Sequence, residues 1–106
     1  TNSEQIARLN KRAIIAAHAP DNCREYRIRT GMKQADFARA LGVHAPSISA
    51  LEKHGRVDNW QVAEAILMFA GLDFAKLGIE ETPGLRAKCE RYLRDGWAIN
   101  VEFNEA

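Results

Sequence analysis

The sequence predicts a mostly α-helical fold closed by one β-strand, and three observations carry that prediction. Apolar residues recur three and four apart from Ile6–Leu9–Ala13 near the start to Leu85–Cys89–Tyr92 near the end. Glycines and cap residues punctuate these runs, with Gly42, Gly71 and Gly96 where helices should stop and Asp58, Asp73 and Thr82 where they should start. From Trp97 the period changes to two. Trp97, Ile99, Val101 and Phe103 alternate, which reads as a strand with one apolar face.

Ser3 fits an N-cap for a first helix, with Glu4 and Gln5 favourable in its first turn. Ile6, Leu9, Ala13 and Ala16/Ala17 form its apolar stripe, widened by Ile14 and Ile15, with Arg8, Lys11 and Arg12 on the other side. Ala19-Pro20-Asp21-Asn22 reads as the turn that closes it. Asn22 then opens a second helix, with Glu25 completing a capping-box pattern and Cys23, Tyr26 and Thr30 facing inward.

The stretch that organises the chain is Lys33 to Gly55. Gln34–Leu41 carries Phe37, Ala38 and Leu41 at helical spacing, and Ala45–Leu51 carries Ile48 and Leu51. Between them Gly42 can end a helix in the left-handed region and Val43 serves as an apolar plug. Pro46 sits near the start of the next helix, where a missing N–H costs nothing. Ala38 leaves room for two helices to meet steeply across so short a turn. Together these features make a helix-turn-helix signature.

Val57 to Val62 reads as the next helix start, with Asp58 and Gln61 as a capping box and Val57 and Val62 as a hydrophobic staple. Trp60, Ala63, Ile66, Leu67 and Ala70 form its buried side, and Asp73 caps a short helix holding Phe74 and Leu77. Gly78–Glu81 is a connector. Thr82-Pro83 then opens a last helix whose inner face is Leu85, Cys89, Tyr92 and Leu93.

From about Cys23 to Leu77 the chain resembles the lambda-repressor/Cro-type (XRE-type) DNA-binding family. The matching residues are Arg24, Tyr26, Arg27, Gly31-Met32-Lys33-Gln34, Phe37-Ala38, Leu41-Gly42-Val43, Ile48-Ser49, Leu51-Glu52 and Gly55, in register and without gaps. The resemblance implies a five-helix domain whose third helix enters the major groove, with Arg27 paired to Glu52 as a structural tie. It also implies that Gln34 contacts phosphate and braces the recognition helix. Lys33 stands where the family has a Ser, Thr or Asn cap, a departure costing up to about 1 kcal/mol that sets a cation beside the expected backbone. On this register His44, Ala45, Pro46, Ser47, Ser49 and Ala50 face the groove, and Lys53, His54 and Arg56 are placed for phosphates. None of the groove set is an Arg, Asn or Gln able to make bidentate base contacts. Readout would then rest on hydroxyls, His44, methyl contacts to thymine and DNA shape. The expected organisation is an N-terminal helix extension (1–20), a helix-turn-helix domain (21–80) and a C-terminal helix-strand element (81–106).

With 106 residues, 46% of them apolar, the chain can hold one compact core. No run approaches bilayer length and no signal-peptide pattern is present, so a soluble, cytoplasmic protein without membrane contact is expected. Cys23 and Cys89 are isolated and read as buried reduced thiols. The net charge of +1 hides an asymmetry: residues 1–59 hold ten basic and six acidic groups, residues 60–106 five and eight.

Neither Ser47 nor Ser49 has a His/Asp arrangement, His18, His44 and His54 lack metal spacing, and no Gly-rich phosphate loop appears, so no enzyme activity and no cofactor are expected. The leading reading is a sequence-specific DNA-binding transcriptional regulator, a phage- or plasmid-type repressor binding a palindromic operator in double-stranded DNA as a homodimer. The lone strand offers an unpaired edge, so Trp97, Ile99, Val101 and Phe103 are the expected dimer contact. The alternative is an antitoxin-like protein that binds its own operator and captures a partner protein through its C-terminal element. A third reading uses the helical fold for protein contacts alone. The N-terminal helix fits three roles: padding, phosphate contact or dimer interface.

Overall fold

The computed structural model describes residues 2–95, and the run from Trp97 to Phe103 lies outside them. Among the described residues the order is α1 (Asn2–Thr30), α2 (Gln34–Leu41), α3 (Ala45–His54), α4 (Trp60–Phe69), α5 (Phe74–Leu77) and α6 (Leu85–Asp95). None of these helices is long and apolar enough to cross a membrane.

The largest departure from expectation is α1, one helix of 29 residues running through Pro20, where the sequence predicts a turn. A proline inside a helix removes one hydrogen bond and crowds the preceding turn, at roughly 3 kcal/mol. Burial opposes that penalty. Ile15, Ala19, Cys23 and Tyr26 fall on one face and are all nearly inaccessible, and the helix meets α4 through Lys11 and Arg12 before the proline and through Tyr26 after it. Asn22 is therefore a buried mid-helix residue and not a cap, Ser3 lies inside the first turn, and the helix is unbroken from Asn2 to Thr30. At ~1.5 Å per residue, its 29 residues make a helix about 44 Å long.

The face that the first half of α1 turns to the core is the one bearing Ile15. Ile15 and Lys11 face the body, while Ile6 and Leu9 of the apolar stripe are 57% and 65% exposed. Arg12 lies over the Trp60 ring, 5.1 Å from its centroid. Thr30, expected inward, is exposed in the last turn, where its hydroxyl bonds the Tyr26 carbonyl at 2.8 Å.

The core centres on four aromatic rings from four helices. Tyr26 packs on Phe37 and Phe69 at 5.5 and 5.4 Å between centroids, and Phe69 meets Tyr92 of α6 at 4.9 Å. Leu85, Cys89 and Tyr92 form the buried face of α6, but Leu93 is 61% exposed, one position round the helix from Tyr92. Phe74 is buried as expected, and Trp60 is half-buried beneath Arg12.

Two of three helix starts differ from expectation. Asn59, not Asp58, caps α4, its side chain accepting from the N–H groups of Gln61 and Val62. Asp73 caps α5 as expected. Thr82 does not cap α6, which begins at Leu85; its hydroxyl and N–H instead donate to the buried carboxylate of Glu64, at 2.7 and 2.8 Å. Lys11 Nζ reaches the same carboxylate at 3.2 Å. This clasp fastens the N-terminal half of α1 to α4 and to the connector before α6.

Candidate nucleic-acid interface

The α2–turn–α3 unit forms as its sequence dictates. Gly42 takes φ 71°, a left-handed conformation that ends α2. The Val43 N–H closes the cap by donating to the Ala38 carbonyl at 2.9 Å, and the Val43 side chain packs against the core. Ala38 is 1% exposed at this junction. A second left-handed glycine, Gly55 at φ 68°, ends α3 and turns the chain into Arg56.

Glu52 fixes how α3 sits on the rest of the protein. Its carboxylate is almost fully buried and receives Arg27 Nε and a terminal guanidinium nitrogen at 2.6 and 2.7 Å. Gln34 Nε2 donates to Oε1 at 3.0 Å, and the Cys23 thiol to Oε2 at 3.3 Å. Arg24 reaches the Glu52 backbone carbonyl at 2.6 Å, near the end of α3 where carbonyls run out of helical partners. Arg27 also holds the Met32 carbonyl at 3.1 Å, tying the loop before α2 into the same cluster.

The electrostatics arise from burial and pairing. Desolvation pushes the Glu52 carboxyl up, but the hydrogen bonds from Arg27, Gln34 and Cys23 outweigh it and hold the group below the usual carboxylate range. The hydrogen bond to Glu52 raises Arg27. Burial, then the bond to Glu52, pushes the Cys23 thiol well above its ordinary value. Cys89 is likewise pushed up to about 12 by burial. Both cysteines are buried free thiols.

The outer surface of this unit gathers most of the residues expected to touch DNA. Lys33, His44, Pro46, Lys53 and Arg56 are exposed, and Gln34, Ala45, Ser47 and Ser49 are half-buried on the same unit. Ala50 is the exception: it is 8% exposed, so it has little surface to offer a groove. Neither Lys33 nor His44 makes a side-chain capping bond, although both have the extended backbone of an N-cap. The first N–H groups of α2 and α3 thus lack capping side chains, an arrangement that suits anionic oxygens. Arg56 lies 3.5 Å from Asp58, an exposed pair that a phosphate can compete for.

Sequence reasoning misses two parts of this site. Arg24 is only a matching position in the sequence, yet it clamps the end of α3; a long polar side chain on a helix surface leaves no periodic signal. The resemblance makes Gln34 a brace without naming its partner, which is the Glu52 carboxylate. That contact shows how one cluster links the start of α2 to the end of α3.

A family model described as a helix-turn-helix domain matches residues 24–77, just over half of the chain. No curated protein and no solved structure matches it.

Proposed function

The chain belongs to the helix-turn-helix domain family, and on that premise we propose that it is a sequence-specific DNA-binding transcriptional regulator. The observation that carries this reading is the bracing of α3: Arg24, Arg27 and Gln34 hold its far end through Glu52, while His44, Pro46 and Lys53 stay exposed and Ser47 and Ser49 half-exposed. A helix held rigidly from behind can be presented to the major groove without an ordering cost at binding.

In this reading α3 enters the groove with His44, Ala45, Pro46, Ser47 and Ser49. Lys33, Lys53 and Arg56 neutralise phosphates on either side, and Gln34 adds a phosphate contact from the start of α2. The absence of Arg, Asn and Gln from the groove set makes base readout weak, so DNA shape supplies much of the selectivity. The protein acts as a repressor by occupancy, as a homodimer on a palindromic operator. The alternation of Trp97, Ile99, Val101 and Phe103 makes the C-terminal run the candidate dimer contact. The antitoxin-like alternative shares the DNA-binding half and assigns that run to a partner protein.

Selection of bound fragments from random DNA tests the reading directly. A palindromic consensus is expected, with half-sites roughly 34 Å apart and an affinity that falls steeply with salt as counterions are released. Failure to enrich any sequence, with no salt-dependent binding, would leave only the protein-contact reading.

A further inference from the structure

We infer that Asp58 competes with DNA for Arg56: its carboxylate occupies the guanidinium that would otherwise meet a phosphate, and so holds down affinity for every DNA sequence. The inference rests on the DNA-binding reading above and adds to it a residue that works against binding.

The loop between α3 and α4 brings the two side chains together. Gly55 leaves α3 in the left-handed region, and the Gly55 and Arg56 N–H groups donate back to the Leu51 and Ala50 carbonyls at 3.0 and 3.3 Å. At the other end the Asn59 side chain caps α4, and midway Val57 packs against the core. A segment pinned at both ends with its middle residue turned inward sends the residues on either side outward. Arg56 and Asp58 are accordingly exposed, while Val57 and Asn59 are half-buried. Arg56 Nε stands 3.5 Å from Asp58 Oδ1, with the two side chains 69% and 44% exposed. Capping does not account for Asp58, because Asn59 accepts both the Gln61 and the Val62 N–H.

The chemistry of the pair makes it exchangeable. At 3.5 Å it is an ion pair longer than a good hydrogen bond, and it lies in solvent, where such pairs are weak. A carboxylate and a phosphate offer a guanidinium the same kind of anionic oxygen. Arg56 therefore trades one for the other when it meets the DNA backbone. Asp58 opposes that trade twice. Arg56 must give up its partner, and the released carboxylate stays on the same loop, where it repels the phosphate. Phosphate contacts position the protein and carry no sequence information directly, so the opposition applies to all duplexes alike.

Asp58→Asn keeps the shape of the side chain and removes its charge, and with α4 capped by Asn59 it should melt as the wild type does. Binding isotherms of the full chain are taken at several salt concentrations on a selected operator and on a random duplex. Both should be bound more tightly by the same factor, up to about five-fold, the upper end for an exposed pair. The salt slope should steepen by up to about one unit. Asp58→Ser should behave alike. Glu90→Gln, on the exposed surface of α6, makes the same change in net charge and should leave both affinities as they are. In an Arg56→Ala background the gain from Asp58→Asn should shrink, since no guanidinium remains to be released. An undiminished gain there would make Asp58 a bare repelling charge and overturn the competition. Unchanged affinity in both Asp58 variants would overturn it as well, as would a gain confined to the operator. A wild-type protein that binds neither duplex in a salt-dependent way would instead refute the DNA-binding reading, and the inference with it.

Discussion

Gln34 Nε2 donates to Glu52 Oε1 at 3.0 Å, joining the first residue of α2 to the last turn of α3. The same carboxylate takes two bonds from Arg27, so Gln34 contributes direction more than stability. Gln34→Ala should cost about 1 kcal/mol of folding stability and weaken binding to all DNA sequences alike. Urea unfolding and titration of unrelated duplexes check the two halves. A change of preferred bases would instead place Gln34 in the groove.

Glu52 makes stability depend on acid. Its carboxyl lies below the ordinary value in the folded protein, so the stabilisation is fully present above the unfolded carboxylate range, near pH 4.5, and is lost as pH falls through the depressed folded value. Glu52→Gln should be less stable at neutral pH and flatter in its acid dependence. Arg27→Met leaves a buried carboxylate without its main partner and should cost roughly 3–5 kcal/mol. Urea midpoints at neutral and acid pH measure both.

The turn between α2 and α3 is legible in the sequence because its signals are local: one left-handed glycine, one apolar plug and one small residue. Pro20 shows where local signals fail. Proline followed by an Asn22–Glu25 capping pattern argues for a break, yet Ile15, Ala19 and Cys23 bury one face across it and the helix runs on. Periodicity also names an apolar stripe on α1 without saying which side meets the core. Two faces qualify, and the clasp of Lys11 on Glu64 settles the rotation through side chains that carry no periodic mark.

The unbroken helix α1 carries residues on both sides of Pro20 into the same core. A chain starting at Asp21 loses Ile15 and Ala19, both buried, and the Lys11 arm of the clasp on Glu64. Burial of Ile15 alone accounts for about 1.5–3 kcal/mol. The shortened protein should melt well below the full chain, by differential scanning calorimetry. An unchanged midpoint would restore the view of a dispensable extension.

Pro20→Ala should stabilise the protein. Alanine supplies the missing N–H and removes the clash, worth up to about 3 kcal/mol in a helix interior. The contact between Pro20 and Gly55 is ordinary, with 3.8 Å from the proline Cγ to the position a Gly55 Cβ would take, so little packing is lost. A gain of about 1–3 kcal/mol in urea unfolding is expected. A loss would mean that the proline shapes the seat of α3 rather than merely being tolerated beside it.

The last prediction separates phosphate contacts from base reading. Lys33, Lys53 and Arg56 are exposed around the ends of α2 and α3, where a cation reaches the backbone more readily than a base edge. Replacing any one with Ala should weaken all sequences about equally and lower the salt slope by about one unit. His44 and Ser49 lie on α3 and at its start, with exposed and half-buried side chains. His44→Ala and Ser49→Ala should leave the salt slope unchanged and alter which bases are selected, by about 1–3 kcal/mol at the affected position. Binding isotherms at several salt concentrations, with fragment selection for each variant, distinguish the two groups. If Lys53→Ala changed base preference while the slope held, Lys53 would be a groove contact, and the orientation assigned to α3 would have to be turned.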